Sequence, residues 1–94
     1  MNKIAQEILK LASSSSDGVF SVIKLSEETV FLESNGTRVE IDISSKEKEF
    51  EHSEARTQLG ESGYITAIDT KPGSYQLTAE GYKAAKARLD NARY

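Results

Sequence analysis

A tight turn between two short apolar segments is the feature that most limits how this chain can fold. In residues 63–82, GYITAIDTKPGSYQLTAEGY, the turn contains Pro72 followed by Gly73. Proline suits the first central position of a type II turn, and glycine suits the second, where φ is positive. The segment therefore predicts a β-hairpin with strands over residues 64–69 and 74–78.

A helix signal flanks the hairpin on each side. Gly63 is a natural residue to follow a helix C-terminus, and Thr78 is a good N-cap for a closing helix. The preceding helix is predicted over residues 46–62, with Ser44 or Ser45 as its cap. The closing helix carries an apolar stripe at spacings of three and four, which predicts a core-facing side. That stripe consists of Tyr82, Ala85, Leu89 and Ala92.

A second hairpin is predicted at Asn35-Gly36, because this dipeptide tolerates the positive φ angles of a type I′ turn. Strands are predicted over residues 19–25, 29–34 and 37–44, which together form an antiparallel meander. A helix over residues 27–34 is the alternative that the β-branched content argues against. The third strand alternates cleanly, with two sets of side chains predicted to point in opposite directions. That set is Thr37, Val39, Ile41 and Ile43, and the opposite set is Arg38, Glu40, Asp42 and Ser44.

The chain is expected to form one α+β domain over residues 1–94, in the order α-βββ-α-ββ-α. Its first element is an amphipathic helix over residues 2–12. The sequence contains no cysteine, which excludes disulfides, thiolate zinc sites and cysteine nucleophiles. No apolar segment is long enough to span a membrane, and we expect a cytoplasmic protein.

Charge is distributed unevenly along the chain. The formal net charge is −3, but residues 26–54 hold nine acidic residues against three basic ones, a net charge of −6. This acidic region favours a basic partner and repels phosphate. The residues predicted to form an acidic protein-binding face are Glu40, Asp42, Glu47, Glu49, Glu51 and Glu54.

No catalytic group of residues is recognisable. His52 is the only histidine, has no nucleophile motif near it, and is predicted to be a solvent-facing or half-buried helix residue. The apolar content of the same helix is thin, namely Phe50, Ala55 and Leu59, and His52 is predicted on the same side as Ala55 and Leu59. The glutamates of residues 47–54 lack the spacing of a calcium-binding loop. We therefore expect no enzymatic activity, no cofactor and no metal.

Aromatic residues could in principle stack on nucleic-acid bases. The three tyrosines in question lie at strand and helix positions where a core role is the more frequent one. They are Tyr64, Tyr75 and Tyr82.

The second half of the chain resembles a winged-helix domain. The resemblance is carried by the helix end over residues 59–65, LGESGYI, the hairpin over 64–78, and the passage into the last helix over 75–81, YQLTAEG. It covers about half of the chain (residues 50–94), and the first helix suits the family as well. In that family a helix before the wing reads the DNA major groove, which implies such a role for residues 46–62. The family has two helices before the wing, whereas here a meander takes the place of the first.

Two classes of function follow. The first is a non-enzymatic module that binds another protein, one with a basic surface, as the small acidic inhibitors of phages do as a class. The edge strands of the meander could also pair with a second copy, giving a homodimer. The second is a DNA-binding transcriptional regulator, which the resemblance implies. Its contact residues would be Lys46, Lys48, Arg56, Gln58 and Lys71. Because the acidic helix opposes phosphate binding, we expect the first.

Overall fold

The helices and strands follow one another in the predicted order, α-βββ-α-ββ-α, and the α+β class is confirmed. The computed structural model describes residues 2–91, with side chains described for residues 2–87. The elements are α1 (Lys3–Ser13), β1 (Val19–Lys24), β2 (Thr29–Ser34), β3 (Thr37–Asp42), α2 (Lys46–Glu61), β4 (Ile65–Ala67), β5 (Ser74–Leu77) and α3 (Ala79–Asn91). Residues 29–34 are therefore a strand rather than the alternative helix.

Both predicted hairpin turns are present. Asn35 and Gly36 have φ angles of 50° and 85°, as a type I′ turn requires. Gly73 has a φ of 80°, and the Ser74 amide donates to the Lys71 carbonyl at 3.0 Å. Each turn fixes the register of the two strands that it joins.

The predicted residues that begin and end the helices are also confirmed. Of the two candidate caps for α2, Ser45 accepts the amide of Lys48 at 3.2 Å. After α2 the chain makes a Schellman turn, in which the Tyr64 amide donates to the Leu59 carbonyl at 2.9 Å and Gly63 has a φ of 75°. Thr78 caps α3 by accepting the Gly81 amide at 3.0 Å. These local bonds place α2, the hairpin and α3 in succession.

The five strands form one antiparallel sheet in the order β3-β2-β1-β5-β4. The meander and the second hairpin are joined because β1 pairs with β5, with Val19 opposite Gln76 and Phe20 opposite Tyr75. This long-range pairing was not predicted from the sequence. It makes β1 an interior strand, so β3 is the only edge strand that the meander contributes.

The core lies between one face of the sheet and the helices. Phe20 is fully buried and stacks on Tyr75, with the ring centroids 5.4 Å apart. Leu32 and Ile41 come from the same face of β2 and β3, and Ala5 and Ile8 of α1 belong to the same buried cluster. Ile41 on the third strand and Ile43 just after it are buried, and Val39 is half-buried, as the predicted alternation requires, whereas Thr37 at the start of the strand is exposed. The opposite face of the sheet carries half-buried and exposed side chains, such as Phe31 under the Arg38 guanidinium.

The predicted core stripe of α3 is only partly correct. Ala85 is buried, but Tyr82 is exposed over 38% of its surface, with its hydroxyl against Gly18. Tyr82 therefore lies at the rim of the core. The Leu89 side chain and residue Ala92 lie outside the described part of the structure. Tyr64 and Tyr75 are half-buried and pack against the core as expected.

Candidate protein-binding surface on the second helix

The structure divides the six predicted acidic residues between two places. Glu40 and Asp42 project from the outer face of the edge strand β3, where Glu40 pairs with Phe31. The other four lie on α2, which packs against the opposite, inner face. The protein-binding role of these six residues stays a prediction, and Asp42 contacts the first turn of α2 through the Lys48 ammonium at 2.7 Å.

Three of the helical glutamates share the solvent side of α2. Glu47, Glu51 and Glu54 recur at i, i+4 and i+7, the spacing of one helix face. All three are exposed, and Gln58 donates to Glu54 Oε1 at 3.3 Å. Phe50 lies among them with 69% of its surface exposed. We call Glu47, Phe50, Glu51 and Glu54 the acidic helix surface.

Phe50 belongs to the thin apolar content of α2, but its side chain is exposed. The side chains of α2 that are buried are His52, Ala55 and Leu59. Successive helical residues are rotated by about 100°, so Phe50 points roughly opposite to that buried side. Phe50, Lys46, Glu49 and Ser53 line a hollow of about 340 Å³ beside the helix.

Asp42 is engaged within the protein. Its carboxylate accepts a hydrogen bond from the Lys48 ammonium at 2.7 Å and from the Ser44 amide at 2.8 Å. The bond from Lys48, followed by those from Ser44, holds the pKa of Asp42 well below its usual range. The same pairing raises the pKa of Lys48. This ion pair ties the end of β3 to the first turn of α2.

The residues predicted to contact DNA are not brought together. Lys48 is paired with Asp42, and Arg56 is half-buried and donates from Nη1 to the Tyr75 hydroxyl at 3.2 Å. Gln58 is half-buried beside Glu54, on the acidic side of the helix. The two exposed cations that remain are Lys46, at the start of α2, and Lys71, in the turn of the second hairpin.

His52 is buried, with 4% of its surface exposed, so the expectation of a solvent-facing or half-buried histidine was wrong. It lines a cleft of about 230 Å³ between α2 and the meander. Both ring nitrogens of His52, and Nε of Arg56, are buried without a hydrogen-bond partner among the described residues. Burial, and then the positive charge of Arg56, lowers the pKa of His52. The residues lining this cleft are Val22, Lys24, Val30, Ile43, Glu49, His52, Ser53 and Arg56.

A signal for the cleft is present in the sequence. Glu49, His52, Ser53 and Arg56 recur at i, i+3, i+4 and i+7, so they form one polar stripe along α2. Such a stripe usually indicates a solvent-facing side. Here His52 is buried and Arg56 is half-buried toward the sheet, whereas Glu49 and Ser53 are exposed at the edge of the cleft.

Comparisons with known proteins assign the chain to no family. No protein-family model matches it, and neither the curated proteins nor the solved structures give a significant match.

No helix within residues 2–91 is long and apolar enough to cross a membrane. Among the described side chains, no group of three or more histidines and carboxylates is placed to hold a metal ion. Over residues 2–91 the structure is α+β, with three helices and one antiparallel sheet.

Proposed function

We propose that this protein is a non-enzymatic binding module that docks the acidic helix surface onto a partner protein with a basic surface. The observation that carries the proposal is the exposure of Phe50, 69% of whose surface is open, among Glu47, Glu51 and Glu54. A large aromatic side chain left in water is unfavourable for an isolated protein and gains free energy when a partner covers it.

The arrangement has the composition of a protein-binding site. Interface centres are enriched in aromatic side chains, and their rims are polar and charged. On this surface Phe50 would be the apolar anchor, and the glutamates around it would steer a basic partner and set its orientation. The hollow beside Phe50, about 340 Å³, offers room for one side chain of that partner.

The scaffold is proposed to be winged-helix-like, used without its DNA surface. The helix, hairpin and closing helix from residue 50 onward occur in the order that the resemblance implies. The helix in the position of a recognition helix carries five glutamates against two lysines and one arginine. Carboxylates at a DNA backbone repel phosphates and release no counterions.

We propose the cytoplasm as the compartment, which the lack of cysteine favours.

The proposal is tested by capturing partners on the immobilised protein from a lysate of its own source and then measuring the affinity of each captured protein directly. We expect Phe50→Ala and the double variant Glu47→Lys/Glu54→Lys to weaken that affinity by about tenfold or more each, as loss of an anchor residue does. Leu25→Ala is the matched control for Phe50, because Leu25 is also exposed, over 56% of its surface. Glu27→Lys/Glu28→Lys makes the same charge change in the exposed β1–β2 loop.

Equal affinities for the surface variants and their controls would refute the acidic helix surface as the docking site. The DNA-binding alternative is tested with mixed-sequence duplex DNA at low salt. If the protein binds it in a salt-dependent way, and Lys46→Glu/Lys71→Glu abolishes the binding, the DNA-binding regulator replaces the protein-binding module.

A further inference from the structure

We propose that the cleft between α2 and the meander is a binding site for a small aliphatic carboxylate. The inference does not rest on the proposed function, because the cleft contains none of the four residues of the acidic helix surface. Glu49 and Ser53 line both the cleft and the hollow beside Phe50. The inference rests on three properties of the cleft: unpaired donors, an excess of positive charge and an apolar wall.

The polar wall of the cleft has hydrogen-bonding groups without partners. Nε of Arg56 and both ring nitrogens of His52 are buried and have no hydrogen-bond partner within residues 2–87, and His52 is 96% buried (4% exposed). Buried polar groups in proteins are normally hydrogen-bonded, so each exception needs an explanation. A carboxylate oxygen that accepts from the Arg56 N–H and from one His52 N–H would satisfy donors on both side chains.

The charges around the cleft favour an anion. Lys24 and Arg56 are cationic, and Glu49 is the single carboxylate among the lining residues. The cleft is therefore locally positive within the most acidic part of the chain. Charge-assisted hydrogen bonds from a guanidinium are among the strongest in proteins, and their geometry matches a carboxylate.

The opposite wall selects for an aliphatic body. Val22, Val30 and Ile43 line it from the meander and the segment after β3. The volume of about 230 Å³ is below the roughly 300–1,000 Å³ of typical small-molecule sites. A branched acid of four or five carbons would cover the three apolar side chains, whereas inorganic phosphate would leave them in contact with water.

The test uses the single histidine as a spectroscopic probe, because its ring signals in an NMR spectrum need no assignment. Isovalerate is titrated into the protein at pH 6.5 and constant ionic strength. We expect a saturable shift of the His52 ring signals and a rise in the His52 pKa, since the carboxylate favours the imidazolium against Lys24 and Arg56. The neutral isostere 3-methylbutanamide should bind at least about tenfold more weakly, because it lacks the charge-assisted bonds.

Variants locate the site. Arg56→Gln and Lys24→Gln should each weaken isovalerate binding several-fold, while Arg38→Gln, on the outer face of the sheet, should leave it unchanged. Lys24 is exposed, so Lys24→Gln keeps the test valid if Arg56→Gln unfolds the protein. Phe50→Ala should bind isovalerate normally, which separates this site from the protein-docking surface.

Three results would each overturn the proposal. The first is a linear, unsaturated response of the His52 signals to isovalerate. The second is equal binding of the acid and the amide, which would show a purely apolar cleft. The third is a saturable shift with inorganic phosphate but none with isovalerate, which would show a site for inorganic oxyanions instead.

Discussion

The hydroxyl of Tyr75 accepts a hydrogen bond from Nη1 of Arg56 at 3.2 Å, and this bond joins β5 to α2. The Tyr75 ring stacks on Phe20, so Tyr75→Phe would keep the packing and remove only the bond. We expect this variant to lower the free energy of unfolding by about 1–2 kcal/mol, because the donor is a charged, half-buried guanidinium. Urea denaturation measures the change. Tyr64→Phe is the control, since the Tyr64 hydroxyl makes no hydrogen bond to the described residues, and an equal loss there would contradict the assignment.

Stability should fall in mild acid because of His52. Its pKa in the folded protein is lowered by burial and by Arg56, so the unfolded chain takes up the proton first. The contribution of neutral His52 to the free energy of unfolding is complete above the pKa of histidine in the unfolded chain, about 6.5. It is lost as the pH falls through the lower pKa of His52 in the folded protein. Between these two pKa values, the slope of the free energy of unfolding against pH approaches ~1.4 kcal/mol per pH unit, because one proton is taken up.

The measurement compares urea unfolding of the protein and of His52→Leu at pH 7.5 and pH 5. Carboxylates contribute almost equally to both proteins, so the difference between them isolates His52. The wild-type protein should lose more stability than the variant over this range. A difference that stays constant with pH would contradict the burial of a neutral imidazole.

Truncation of two apolar residues of α2 should change the free energy of unfolding by very different amounts. Leu59 is fully buried and Phe50 is 69% exposed. Leu59→Ala should therefore cost about 2–5 kcal/mol, through lost burial and the cavity left behind. Phe50→Ala should change the free energy of unfolding by less than about 0.5 kcal/mol, as surface substitutions generally do. A large loss for Phe50→Ala would mean that Phe50 is buried in the folded protein.

Two helical glycines provide a second contrast. A β-carbon on Gly60 would meet no atom within 4 Å, so Gly60→Ala should stabilise α2 by roughly 0.5–1 kcal/mol through reduced chain entropy. A β-carbon on Gly81 would overlap the carbonyl oxygen of Tyr64. Gly81→Ala should therefore destabilise the protein by about 1–3 kcal/mol. Thermal unfolding monitored by circular dichroism measures both, and a stabilising Gly81→Ala would contradict the close approach of α3 to β4.

Local chemistry explains why so much of the fold could be predicted. The turns at Asn35-Gly36 and Pro72-Gly73 and the helix end at Gly63 depend on backbone angles that few other residues adopt. These signals act over four or five residues, and the structure contains each of them. The order of elements followed from them.

The rotation of α2 and the pairing of β1 with β5 could not be predicted in the same way. The helix has so few apolar residues that its periodicity does not define which side is buried. His52 is predicted on the same side as Ala55 and Leu59, which is correct, but as a solvent-facing or half-buried residue, whereas the structure buries it. The exposure of Phe50 was not predicted. The pairing of β1 with β5 joins segments far apart in the chain, and no local pattern specifies such a contact.

The pairing of β1 with β5 has a consequence for synthesis. Ser21 and Ser74 bond to each other through their hydroxyls across a separation of 53 residues. As the chain leaves the ribosome, β1 can pair with β2 at once, but its other edge waits for β5. Until then the nascent protein exposes a strand edge able to pair with other nascent chains. The last third of the polypeptide thus protects the first third from aggregation.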